Sequence, residues 1–87
     1  MGVGLEGYIL INADTKRSQY WCITNEAIKI KGVKMAHMVL GAFDAVCYIK
    51  FSDSDELKKI ISEITSIPAV ERVQTMLALL PNKRMQI

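Results

Sequence analysis

Apolar and polar residues alternate from Leu5 to Asn12, with Leu5, Gly7, Ile9 and Ile11 on one face and Glu6, Tyr8, Leu10 and Asn12 on the other. A period of two in a stretch this rich in β-branched and aromatic residues predicts a strand, ended by the polar run Asn12-Ala13-Asp14-Thr15-Lys16. Tyr8 and Leu10 make its second face partly apolar as well. Ser18 to Lys31 lacks glycine and proline and carries Trp21, Cys22, Ala27, Ile28 and Ile30. It reads as a helix, although Ile23-Thr24-Asn25 have poor helix propensity, and Gly32 closes it as a C-terminal glycine. Val33 to Leu40 reads as a strand, Gly41-Ala42 as a tight turn, and Phe43 to Phe51 as the next strand. In that strand Phe43, Ala45, Cys47, Ile49 and Phe51 form one apolar row, and Asp44, Val46, Tyr48 and Lys50 form the other. A turn so short requires an antiparallel hairpin. Ser52-Asp53-Ser54-Asp55-Glu56 supplies a cap and first-turn acids for a second helix. Leu57, Ile60, Ile61, Ile64 and Ile67 follow at the spacing of one helical face. Pro68 ends this helix, and Val70 to Leu80 reads as a last strand stopped by Pro81.

The order β-α-β-β-α-β, with Ile30-Lys31-Gly32-Val33 echoed by Ile67-Pro68-Ala69-Val70, describes two β-α-β halves. That is a ferredoxin-like α+β fold: a four-stranded antiparallel sheet with two helices on one face. The other face is bare and carries Tyr8, Leu10, Val46 and Tyr48. Apolar surface left in water forgoes roughly 25 cal/mol per Å², and such a patch marks an interface. Composition agrees: hydrophobic residues make up 51% of the 87, more than a domain of this size buries alone. The expectation is a homodimer joined through its sheets.

The same numbers exclude several classes. Apolar content this high, with 23% charged residues and a net charge of +2, is not that of a disordered chain. Two cysteines do not make a disulfide scaffold. No apolar run is long enough to span a membrane, and the first residues lack a basic, apolar leader, so a cytoplasmic protein with reduced thiols is expected. Basic and acidic residues interleave and the isoelectric point is near 8.6, which disfavours direct nucleic-acid binding. Nor does a catalytic set emerge. The one histidine, His37, has only Met35, Ala36, Met38 and Val39 around it, the pattern of a structural or interface residue. Cys22 and Cys47 lack metal-ligand spacing, and Cys47, within an apolar row, reads as buried and inert. Neither cofactor nor metal is expected.

Leu40-Gly41-Ala42-Phe43-Asp44 offers other chemistry. A glycine turn exposes backbone N–H groups, and Asp44 emerges beside it. Donors next to a carboxylate suit a zwitterion, the donors receiving an α-carboxylate and Asp44 an α-ammonium. On the residues alone, a hairpin turn with a solvated aspartate is the simpler reading and stands ahead of it.

The stretch from Gly32 through Gly41-Ala42-Phe43-Asp44 to Val46 resembles the "GV-x-x-a-h-x-v-t-G-x-y-D-h-v" block of the effector domain of the Lrp/AsnC transcriptional regulators, called RAM. Ile61 to Met76 is similar to that domain's closing "I-x-x-I-x-s-I-p-G-V-e-r-T-x-T" helix and strand, and Tyr8-Ile9-Leu10-Ile11 to its first strand. The resemblance runs from about Leu5 to Leu80, giving a short extension at 1–4, the effector domain at 5–80 and a tail at 81–87. It implies a ferredoxin-like domain that dimerises through its sheets, assembles further to an octamer and binds an amino-acid effector in clefts between dimers. Carried over by position, Gly41, Ala42, Phe43, Asp44 and Thr75 would be ligand-binding. Three departures bear on that site: Val73 replaces the first threonine, Ala69 the usual glycine, and Leu40 a frequent threonine. The family's helix-turn-helix would precede the first strand, where this sequence has only Met1 to Gly4, so a stand-alone module is expected. It would act on full-length Lrp/AsnC regulators or on an enzyme. Two other readings remain: a small dimeric α+β-barrel enzyme, with a pocket inside one dimer near His37, Tyr48 or Asp44, and an assembly module without ligand.

Overall fold

The computed structural model describes residues 4–17 and 20–78. Strand β1 (Leu5–Ala13) leads to a 3-10 turn (Tyr20–Cys22) and helix α1 (Ile23–Ala27), followed by β2 (Val33–Met38), β3 (Ala45–Phe51), helix α2 (Ser54–Thr65) and β4 (Val70–Leu77). The sheet order is β2-β3-β1-β4, and every neighbouring pair is antiparallel. This is the ferredoxin-like arrangement, in which each β-α-β crossover lays its helix on the same face. No helix among the described residues is long and apolar enough to cross a membrane.

The core lies between that face and the helices. Ile9 and Ile11 of β1, Ala45, Cys47 and Ile49 of β3, and Ile23, Ala27, Ile60 and Ile64 of the helices are all buried. The alternation read from the sequence is thus the alternation of burial in β1 and β3. Helix α2 starts where the acid-rich run predicts. Asp53 caps it, Oδ1 accepting the Glu56 N–H at 2.9 Å, while Glu56 Oε1 reaches back to accept the Ser52 N–H at 2.8 Å, a reciprocal arrangement of the capping-box kind.

Three boundaries differ from the sequence expectation. Of the helix expected over 18–31, residues 18–19 lie outside the described residues, and over 20–31 it narrows to the five residues of α1 and its 3-10 lead-in. Ile23 and Ala27, four apart, are its only buried pair, and Ile28 points outward at 47% exposure. Ile30, seven residues beyond Ile23, is on the same side and packs partly buried against the core, so the inward face continues past Ala27 although the α-helical hydrogen bonding does not. The chain tightens instead, the Ile30 N–H donating to the Ala27 oxygen and the Val33 N–H to the Ile30 oxygen. Ile23-Thr24-Asn25, poor helix formers, lie inside α1 because burial of Ile23 outweighs propensity. The second difference is the hairpin: β2 stops at Met38 and β3 begins at Ala45, so Phe43 and Asp44 belong to a loop. Finally, β4 ends at Leu77; Leu79 and Leu80, placed in that strand by the sequence, and the tail lie outside the described residues.

Candidate functional site

The β2–β3 loop is closed by the Val39 N–H, which donates to the Asp44 oxygen at 2.9 Å. Gly41 sits at φ +146° with open space around it, a conformation that L side chains rarely adopt. Leu40 and Ala42 are exposed, and Phe43 and Asp44 are half-buried. The loop is fastened to the end of β1 by three hydrogen bonds. The Asp44 N–H donates to the Ile11 oxygen at 2.8 Å, Asp44 Oδ2 accepts the Ala13 N–H at 2.8 Å, and Asn12 Nδ2 donates to the Ala42 oxygen at 3.1 Å. The β1–β3 ladder has run out at Ile11 and Ala45, so the carboxylate takes an amide that the sheet no longer pairs. Asp44 is therefore a structural clamp, where the sequence suggested a carboxylate standing free in solvent. Among the described residues no hydrogen bond occupies the N–H groups of Leu40, Gly41, Ala42 or Phe43, and none reaches Asp44 Oδ1.

Gly41, Ala42, Phe43 and Asp44 thus lie together, whereas Thr75 does not join them. It sits on β4 opposite Ile9, on the helix-covered face, with β1 between it and β3. Two strand spacings are about 10 Å, too far for one small ligand to touch both within a single chain. Asn12 and Ala13 are the site residues that the sequence reading missed. Asn12 reads there as the polar end of a strand, and only the pairing of β1 with the loop reveals its contact.

The bare face is as expected and larger. Tyr8 pairs with Tyr48 and Leu10 with Val46 across β1 and β3; the tyrosine rings lie 5.5 Å apart and tilted by 42°. Met35 on β2 and Met76 on β4, cross-strand partners of Tyr48 and Tyr8, widen the patch. The Tyr48 hydroxyl donates to Glu6 Oε1 at 2.9 Å. This hydrogen bond to a carboxylate, with desolvation and charge repulsion behind it, raises the hydroxyl's pKa above the usual tyrosine value. His37 is exposed on this face opposite Val46. Cys47 is buried among the isoleucines, and burial pushes its thiol up to about 11. Among the described residues no three His, Cys, Asp or Glu side chains group as metal ligands.

Ala69 holds a left-handed backbone, φ +80°, between α2 and β4, and its oxygen accepts the Asp14 N–H at 2.7 Å. That is why glycine is the easier residue there.

Similar proteins bear on what such a domain is. Over 83 residues the chain is 29% identical to the HTH-type transcriptional regulator FL11 of Pyrococcus abyssi; the match takes in 95% of this chain and 54% of that protein. The chain therefore spans about half the length of that relative. Among solved structures, TTHA0845 from Thermus thermophilus superposes with a TM-score of 0.82 at 26% identity, covering 92% of this chain and 99% of that one. The feast or famine regulatory protein of M. tuberculosis, solved in complex with L-methionine, has the same fold with a TM-score of 0.76 at 17% identity, over 95% of this chain and 57% of that chain. A model of the Lrp/AsnC ligand-binding domain matches residues 6–86, and the chain belongs to that family.

Proposed function

We propose that the protein is an amino-acid-sensing assembly module. The observation that carries this reading is the loop at 40–43, whose backbone donors take no hydrogen-bond partner among the described residues, beside an aspartate whose Oδ1 takes none among them either. An effector's α-carboxylate would lie on those N–H groups and its α-ammonium against Asp44 Oδ1, while Oδ2 stays on Ala13. Thr75 is too distant to serve the same ligand within the chain, so the second half of the pocket comes from another copy, as expected of a cleft between dimers. The bare sheet face supplies the dimer contact through Tyr8, Leu10, Val46 and Tyr48, and dimers then assemble further. A ligand held between dimers stabilises the assembly it bridges. Partner regulators of the same family would be read out by co-assembly. A structurally similar regulator carries methionine, which makes methionine the first effector to try.

The test is a thermal-shift screen of the twenty amino acids followed by calorimetry on those that respond. Saturable binding of a few, weakened in Asp44→Asn with its fold intact, is the expected result. Silence across the panel at millimolar concentrations would leave the loop a purely structural hairpin and favour the assembly module without ligand.

A further inference from the structure

At the end of the sheet away from the 39–44 loop, four stretches of chain surround an open cleft of about 430 Å³: Gly4 ahead of β1, the turn into β2, the exit of β3 and the side of α2 from Glu56 to Glu63. Gly32, Phe51 and Ile60 form its floor. Gly32 has φ +101°, and a Cβ there would stand 2.6 Å from Ile60 Cδ1 and 3.1 Å from the Lys50 oxygen, so the floor at this point accepts backbone only. The Lys50 N–H donates to the Gly32 oxygen at 2.9 Å, which locks the two strand ends together beneath the cleft.

The rim is basic. Lys31, Lys34 and Lys59 line it, and all three are exposed. Lys50 contributes its backbone, since strand alternation sends its side chain to the opposite sheet face, across from Glu6. Two acids also line the cleft. Glu56 has Oε1 engaged by the Ser52 N–H, and Glu63 stands one helical turn beyond Lys59. The ion pair found among the described residues, Lys29 with Glu26, lies outside the cleft. Three ammonium groups thus ring a concave surface with no carboxylate of the described residues at salt-bridge distance. Walls of low polarity focus that positive potential. The volume falls in the range of small-molecule sites and exceeds what a lone phosphate fills. The lysine stems supply apolar walls below the charged heads.

We propose that this cleft binds a nucleoside phosphate, with the phosphates on Lys31, Lys34 and Lys59 and the ribose hydroxyls donating to Glu63. Lysine serves phosphate as a point charge. Glu63 repels a second anionic group at its end of the cleft and accepts hydroxyl donors instead, which sets the ligand's direction. The site is remote from the 40–43 loop and does not depend on that loop's occupancy, so the domain would read a phosphorylated metabolite in addition to an amino acid.

Titration calorimetry of the whole chain with ATP, pyrophosphate and adenosine tests this. ATP is expected to bind with an affinity that falls as salt rises. Lys34→Ala and Lys59→Ala should each weaken it by about tenfold, with Lys→Arg at either position retaining it. Lys16→Ala, outside the cleft, should change nothing. Glu63→Gln should narrow the preference for ATP over pyrophosphate, because the ribose loses a charged acceptor and pyrophosphate is freed from the repulsion. These side chains are exposed, and unchanged melting temperatures would confirm that the variants fold. No binding of ATP at millimolar concentrations, an affinity indifferent to both alanine variants, or pyrophosphate binding as tightly as ATP would each overturn the proposal. None of the variants touches Asp44, so a failure here and a failure of amino-acid sensing are separately visible.

Discussion

Replacing Asp44 with alanine should destabilise the protein whether or not a ligand is present. The side chain ends the β1–β3 ladder by accepting the Ala13 N–H at 2.8 Å in a half-buried setting. A hydrogen bond to a charged acceptor contributes about 1.5–3 kcal/mol. Water can reach part of this site, so the lower end applies, and Asp44→Ala should cost about 1.5–2 kcal/mol. Asp44→Asn keeps an oxygen for the same amide and loses only the charge, so about 1 kcal/mol is expected. For a domain of this size such losses correspond to roughly 10 °C and 5 °C in Tm. Urea unfolding followed by far-ultraviolet circular dichroism would measure both, at one fixed chain concentration so that any self-association contributes equally. Hydrogen exchange gives a local check. The Ala13 amide should lose protection in Asp44→Ala, while the Ile9 amide in the middle of β1 loses none beyond the global change. An alanine variant within about 0.5 kcal/mol of the parent, inside the usual range for a surface substitution, would refute the clamp. So would an asparagine variant as unstable as the alanine one.

Other expectations follow from the same geometry. Ala69→Gly relieves a left-handed alanine at φ +80°; the strain of about 1–2 kcal/mol is offset by the greater freedom of glycine when unfolded and the loss of a partly buried methyl. A net gain of about 0.5 kcal/mol in urea unfolding is expected, and a loss would contradict it. Cys47, its thiol raised from 9.0 to about 11 by burial, should resist thiol reagents at pH 8 until the protein unfolds, whereas half-buried Cys22 reacts. Because the unfolded thiol ionises at the lower pH, the folded state binds more protons between these values. Cys47 therefore makes stability fall as pH rises from about 9 towards about 11; a flat profile in that window, after correction for the tyrosines, would count against its burial. Tyr8→Lys together with Met76→Lys places two charges on a cross-strand pair of the bare face. Light scattering should show dissociation toward monomer, and an unchanged mass would mean that the face is not the contact.

Much of this was legible in the sequence because alternation and helical spacing report burial directly. The period of two in Leu5–Asn12 and the isoleucine face of α2 gave their elements, their inward sides and the β-α-β-β-α-β order, and the Gly32–Val46 and Ile61–Met76 phrases pointed to the family. Segments whose ends are set by distant partners were not legible. The helix expected over 18–31 stops after Ala27, where the chain tightens through the Ile30 and Val33 N–H groups to enter β2, and where β2 must begin is set by its pairing with β3. Phe43 and Asp44 fit a strand by period, yet Asp44 is drawn out of it by Ile11 and Ala13, far away along the chain. Ala69 reads as an ordinary substitution until its φ is known. Local patterning therefore determined which residues face inward and which elements form, since both depend on neighbours along the chain. Only the tertiary structure decided that Asp44 is a clamp with one oxygen to spare, that Asn12 holds the loop, that Thr75 lies a strand away, and that three lysines ring one cleft. Each of these rests on contacts between residues far apart in sequence, and no local period encodes them.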